Sequence, residues 1–94
     1  MIENLPSKER FGIYSQISRS TISIPSSIAE GCSRSSQKDF NKYIEIALGS
    51  SFELETQLIL TDRGGFANKN EVVNLVNDLQ IIQKKLNALR NKLK

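Results

Sequence analysis

The chain has 94 residues, 38% of them hydrophobic and 24% charged, and its thirteen basic against ten acidic side chains give a formal charge of +3 and a pI near 9.2. That length allows one domain with one modest core, and the composition is too apolar and too evenly charged for a disordered chain. No apolar run approaches the ~18 residues needed to span a bilayer, and Met1 to Pro6 lacks the basic start and apolar stretch of a leader, so a cytoplasmic protein is expected.

The apolar spacing is helical almost throughout, with no stretch of strict alternation. A first helix is expected over residues 7–31, opening after Pro6 with Ser7 as N-cap and carrying Ile13, Ile17, Ile24 and Ile28 on one stripe. Pro25 lies inside it. Its ring removes one backbone hydrogen bond and crowds the preceding turn, which predicts a kink or short break near Ser23 to Ser26.

Ser33 to Ser36 reads as a turn, and Ser36 with Asp39 three residues later resembles a capping box that opens a second helix over 36–62. Phe40, Ile44, Ala47, Ser51, Leu54 and Leu58 form its coiled-coil-like seam. Leu48, Phe52 and Ile59 form another apolar row, and Tyr43 and Ile46 a third patch. A helix apolar on several faces has to be covered on several sides.

Gly64 and Gly65 suggest a left-handed C-terminal cap, and Asn68 with Glu71 a second box-like start. The third helix, over 69–92, has Val72, Leu79, Leu86 and Leu93 at one heptad position and Leu75, Ile82 and Leu89 at the other. Such a helix is expected to pack along its full length against antiparallel or parallel neighbours, an intermolecular coiled coil being the alternative. The fold class is therefore all-α: one antiparallel, up-down helical bundle domain over residues 1–94.

Catalysis is not expected. There is no histidine, which removes the commonest general base and metal ligand, and the single Cys32 has neither a histidine partner nor a second cysteine. Cys32 is expected to be a small buried hydrophobe. Gly49, Ser50 and Ser51 lack the glycine spacing of a nucleophile elbow and read as close helix packing or a local bend. Among the carboxylates, Glu53 and Glu55 lack the histidine of a bundle metal site. Glu30 suits an ion pair with Arg34, four residues on, or with Arg19, eleven residues back on nearly the same face; Arg19, Glu30 and Arg34 are expected to form a polar network. No cofactor or metal is expected.

One stretch is distinctive: Gln16-Ile17-Ser18-Arg19-Ser20, then Ser23-Ile24-Pro25-Ser26-Ser27-Ile28-Ala29-Glu30-Gly31 and Ser33-Arg34. It continues through Asp39-Phe40, Tyr43-Ile44-Glu45-Ile46-Ala47, Gly49-Ser50 and Glu53 to Leu58. Over roughly residues 9–62 the chain resembles the four-helix-bundle proteins encoded in intervening sequences of bacterial 23S rRNA genes, also labelled S23 ribosomal proteins. The resemblance implies a non-enzymatic antiparallel four-helix bundle assembled as a ring, typically a homopentamer. It also implies kinship with basic pentameric accessory proteins of diversity-generating retroelements, which bind nucleic acid and cooperate with a reverse transcriptase. Members of the family carry a further N-terminal helix ahead of the segment that begins here at about Ser7, where six residues are too few for one. Either a truncated chain or three helices that bury their faces by self-association is expected.

Charge adds a direction. From Lys84 to Lys94 there are five cations, Lys84, Lys85, Arg90, Lys92 and Lys94, and no acid. They suit a helix C-terminus, where the macrodipole is negative, and they suit an anion-binding surface equally. The first expectation for function is phosphate contact with RNA or DNA through these five, together with Arg34, Lys38 and Lys42. Aromatic residues are few among them, which favours backbone contact over sequence reading. The alternative is a protein-interaction scaffold that recruits another protein through the apolar rows.

Overall fold

The computed structural model describes residues 7–64 and 68–93, and the side chains of 7–11 and 14 are not among what it describes. It contains three α-helices in chain order: α1 (Ser7–Cys32), α2 (Gln37–Arg63) and α3 (Lys69–Leu93). Among the described residues there is no strand.

The helix starts are fixed locally. Ser36 has extended backbone (φ −115°, ψ 148°) and its Oγ accepts from the Asp39 N–H at 3.1 Å, which satisfies one of the donors a helix start leaves free. Asn68 Oδ1 accepts from the Glu71 N–H at 3.1 Å in the same way. At the end of α2 the left-handed cap expected of the Gly64-Gly65 pair would fall on the residue after the C-cap Gly64. Gly64 is right-handed (φ −73°, ψ −9°) and simply continues the helical pattern by donating to the Leu60 carbonyl at 3.0 Å. Gly65 lies outside the described residues.

α1 runs unbroken through Pro25, against the short break that the proline suggests. Pro25 and Thr21, whose carbonyl it leaves without a helical donor, are both exposed, so the lost bond falls on the solvent side of α1 and not in the core. Ser20, Ile24 and Ser27, on either side, are buried and anchor the segment.

Pairings across the helices establish direction. Ser20 Oγ donates to Glu53 Oε1 at 3.3 Å, the Ser23 and Ser50 hydroxyls lie 2.8 Å apart, and Gly31 abuts Phe40 and Tyr43. Residue numbers rise on α1 as they fall on α2, so the two are antiparallel. Likewise Val72 shares a core cluster with Leu58, and Leu86 one with Ile44 and Leu48, so α3 is antiparallel to α2. α2 packs on both neighbours, whereas α1 and α3 make no close backbone approach to each other among the described residues. The Cα envelope of 46 × 23 × 13 Å is correspondingly thin: an open layer with α2 in the middle.

The seam of α2 is buried from Ile44 through Ala47, Leu48, Ser51, Leu54 and Leu58 to Thr61. Ser51 is fully buried, and its hydroxyl is satisfied by the Leu48 carbonyl at 2.6 Å. On α3 only one heptad row is buried. Val72, Leu79 and Leu86 pack on α2, while Leu75 and Ile82 remain 41% and 38% exposed. α3 packs on α2 from Val72 to Leu93, but with that one neighbour its second row is covered only at Leu89, and Gln83 completes the buried stripe.

Candidate nucleic-acid interface

The antiparallel order carries the end of α1, the start of α2 and the end of α3 to one end of the layer. Arg34, Lys38 and Lys42 arrive there from the α1–α2 turn and the first turns of α2. Lys84, Lys85, Arg90 and Lys92 arrive from the second half of α3. Lys38 and Lys42 line one hollow of about 610 Å³ with Asp39, Glu45 and Leu93, which brings the C-terminal end of α3 beside them, while Lys84 and Arg90 line a separate groove with Phe52. In this half the seven described cations face three carboxylates, Glu30, Asp39 and Glu45. Along the rest of the layer the two signs are near balance: Arg19, Arg63 and Lys69 stand against Glu53, Glu55, Asp62, Glu71 and Asp78, with Glu55 beside Gln83 at the inner edge of the basic half, and the first turns of α1 add Lys8, Glu9 and Arg10. The net charge of +3 is thus carried chiefly by this basic end. Lys94 lies outside the described residues.

The cations are not equivalent. Arg34 is held at the corner: its guanidinium pairs with Glu30, donates to the Tyr43 hydroxyl at 2.9 Å and sits 4.9 Å from the centroid of the Tyr43 ring. It is the cation of the only ion pair among the described residues. Arg90 is half-buried and donates to Asn87 Oδ1 at 2.6 Å, while its buried Nε–H has no acceptor. Lys38, Lys42, Lys84, Lys85 and Lys92 are exposed.

The polar network differs from the one expected. Glu30 and Arg34 pair, but Arg19 makes no polar bond among the described residues. Eleven residues put Arg19 near the same face yet about 16 Å along the axis, beyond the reach of either side chain. Tyr43 takes its place, and its Cβ is one of the groups that press on Gly31. Cys32 is exposed rather than buried, because it is the last residue of α1, where the chain turns away from the core. Gly49 has open space where a Cβ would stand, so close packing within the chain does not account for it. Its neighbours Ser50 and Ser51 do face other atoms of the chain.

Sequence reasoning did not anticipate a groove between α2 and α3. Phe52 stands on one side of it, and Gln83, Lys84 and Arg90 on the other. The available signal was Gln83 itself, an amide four residues after Leu79 and three before Leu86 on the apolar stripe.

These features define a small, open, antiparallel helical bundle with a basic end, in which no helix is long and apolar enough to cross a membrane. The chain belongs to the family of 23S rRNA-intervening sequence proteins, whose pattern it matches over residues 1–88. Among curated proteins, none matches the chain.

Proposed function

We propose that this chain is a non-enzymatic, cytoplasmic, oligomeric bundle protein that binds nucleic acid through the phosphate backbone, using the basic half of the layer. The observation that carries this reading is the excess of cations at one end of the layer. Lys84, Lys85 and Lys92 on α3 and Lys38 and Lys42 on α2 converge there, exposed and in no ion pair among the described residues. Lysines on separate helices offer several point charges over a broad surface, which suits a polyphosphate chain better than a single small anion.

Self-association strengthens the same reading. Leu75 and Ile82 form an uncovered apolar row on α3, and Ile46 and Leu60 lie exposed on α2. A ring of protomers, a homopentamer by family resemblance, buries such rows and multiplies weak phosphate contacts by avidity. Those same rows also favour a second reading, a scaffold that recruits another protein, such as a reverse transcriptase, with no nucleic-acid role.

Light scattering coupled to size exclusion, with a short RNA and a short DNA duplex at low and high salt, separates the two. The proposed binder is a multi-protomer particle that takes up nucleic acid at low salt and releases it as salt rises. A particle indifferent to both polymers at low salt overturns the nucleic-acid reading.

A further inference from the structure

The groove between α2 and α3 is open to solvent, has a volume of about 400 Å³ and lies beside the basic half. Its lining combines an aromatic plane, amides and cations: Phe52 on α2, and Gln80, Gln83, Lys84, Asn87 and Arg90 on α3. Phe52 is 50% exposed, so a ring-sized face is open to a ligand. Gln83 is only 8% exposed, yet its amide nitrogen has one long bond, 3.4 Å, to Glu55 Oε1. The volume falls at the small end of the ~300–1,000 Å³ range of ligand sites that combine apolar walls with a few polar groups.

Two features decide what fits. An apolar helix laid in this groove would bury the Lys84 ammonium and the Gln80 amide without partners and would give the Arg90 Nε–H no acceptor, which is costly. A stacked duplex keeps its base faces inside the helix and cannot present one to Phe52. An unstacked base satisfies both walls at once, since every base has a π-face for the ring, polar edges for amides, and a phosphate on each side for cations.

We propose that this groove receives an unstacked base of a single-stranded nucleic acid, with Phe52 stacking on it. Gln80, Gln83 and Asn87 face its edge, and Lys84 and Arg90 face the flanking phosphates. The proposal rests on the phosphate-binding reading of the basic half and deepens it from backbone contact to a preference for single strands.

The chain has no tryptophan, so Phe52→Trp places a unique fluorophore in the groove. The full chain is titrated at low salt with oligouridylate and oligothymidylate of about 12 nucleotides, within the usual ~4–16-nucleotide site sizes. Duplex RNA and inorganic polyphosphate serve as stacked and base-free controls. Both single strands are expected to quench the tryptophan, whereas duplex and polyphosphate bind without quenching; unequal RNA and DNA affinities tell which sugar is preferred. Phe52→Ala, at a half-exposed position, is expected to weaken single-strand binding by about 5- to 150-fold and leave polyphosphate binding unchanged. If Phe52→Ala binds single strands as tightly as the parent while polyphosphate still binds, the groove assignment is overturned and the phosphate reading stands. If no polyanion binds, both are overturned. If Phe52→Ala changes the mass of the particle, the groove belongs to a subunit contact and the assignment is likewise overturned.

Discussion

Replacing Gly31 with alanine tests how closely α1 approaches α2 at the corner of the fold. A Cβ built there meets Phe40 Cδ1 at 2.8 Å and Tyr43 Cβ at 2.9 Å, where ordinary carbon contacts lie at about 3.5–4.0 Å. The Phe40 ring can swing aside. Tyr43 Cβ is bonded to the α2 backbone and cannot, so the helices must separate by roughly 0.5 Å or more. Against this, alanine gains about 1 kcal/mol over glycine in a helix interior. Gly49→Ala supplies the reference, because it sits in the interior of α2 with nothing within 4 Å of the new methyl, whereas Gly31, next to the last residue of α1, takes only part of that helical gain. The difference between the two variants therefore contains the overpacking cost of about 1–3 kcal/mol together with up to about 1 kcal/mol of unequal helical gain. Urea unfolding followed by far-UV circular dichroism measures it, at one fixed protomer concentration, since any self-association would make stability concentration-dependent. In heating experiments the same difference is at least about 4 °C in Tm for a domain of this size. Gly31→Ala and Gly49→Ala agreeing within about 0.5 kcal/mol would refute the close approach.

Other perturbations follow from the same geometry. Ser36→Ala removes the acceptor for the Asp39 N–H and should cost about 1 kcal/mol in urea unfolding, whereas Ser35→Ala, in the same turn but without that bond, should change little. Leu79→Ala, in the cluster that joins α3 to α2, should cost about 2–5 kcal/mol in the same assay. Ile82→Glu, on the half-exposed row of α3, should leave helical content intact and lower the particle mass seen by light scattering; an unchanged mass would remove that row from any subunit contact. Changing Lys84, Lys85 and Lys92 together to glutamine should flatten the log–log salt dependence of single-strand binding by about two, from three lost phosphate contacts at about 0.7 each.

The secondary structure was legible because its signals are local. Isoleucines and leucines at helical spacing, with Ser36 and Asn68 placed to receive the first free N–H groups, define helices without reference to the rest of the chain. The fate of Leu75 and Ile82 was not legible. A perfect heptad records that a helix has an apolar stripe about two rows wide, but not how many neighbours cover it, and α3 has one. Cys32 misled for a similar reason: cysteine is usually buried, but a helix end beside a turn is set by the path of the chain.

At the candidate interface, the cations from Lys84 to Lys92 on α3 could be read directly, and their arrival at the same end as Lys38 and Lys42 follows once the helices are antiparallel. The Arg34–Glu30 pair could be read from a four-residue spacing. Tyr43 could not, because its contact with Arg34 depends on the corner where Gly31 lets the two helices meet. The groove was hidden as well, since Phe52 and Lys84 lie 32 positions apart and only the register of α2 against α3 brings them together.

The central claim, that the basic half of the layer holds nucleic-acid phosphates, is tested most directly by binding of a fluorescent single-stranded RNA across a salt series, with the parent chain and the Lys84, Lys85 and Lys92 triple glutamine variant side by side. The account predicts tight binding to the parent at low salt, a steep linear loss of log affinity with log salt, and a weaker, flatter response in the variant. Equal affinity and equal slope in the two proteins, or no binding by the parent at the lowest salt, would contradict it.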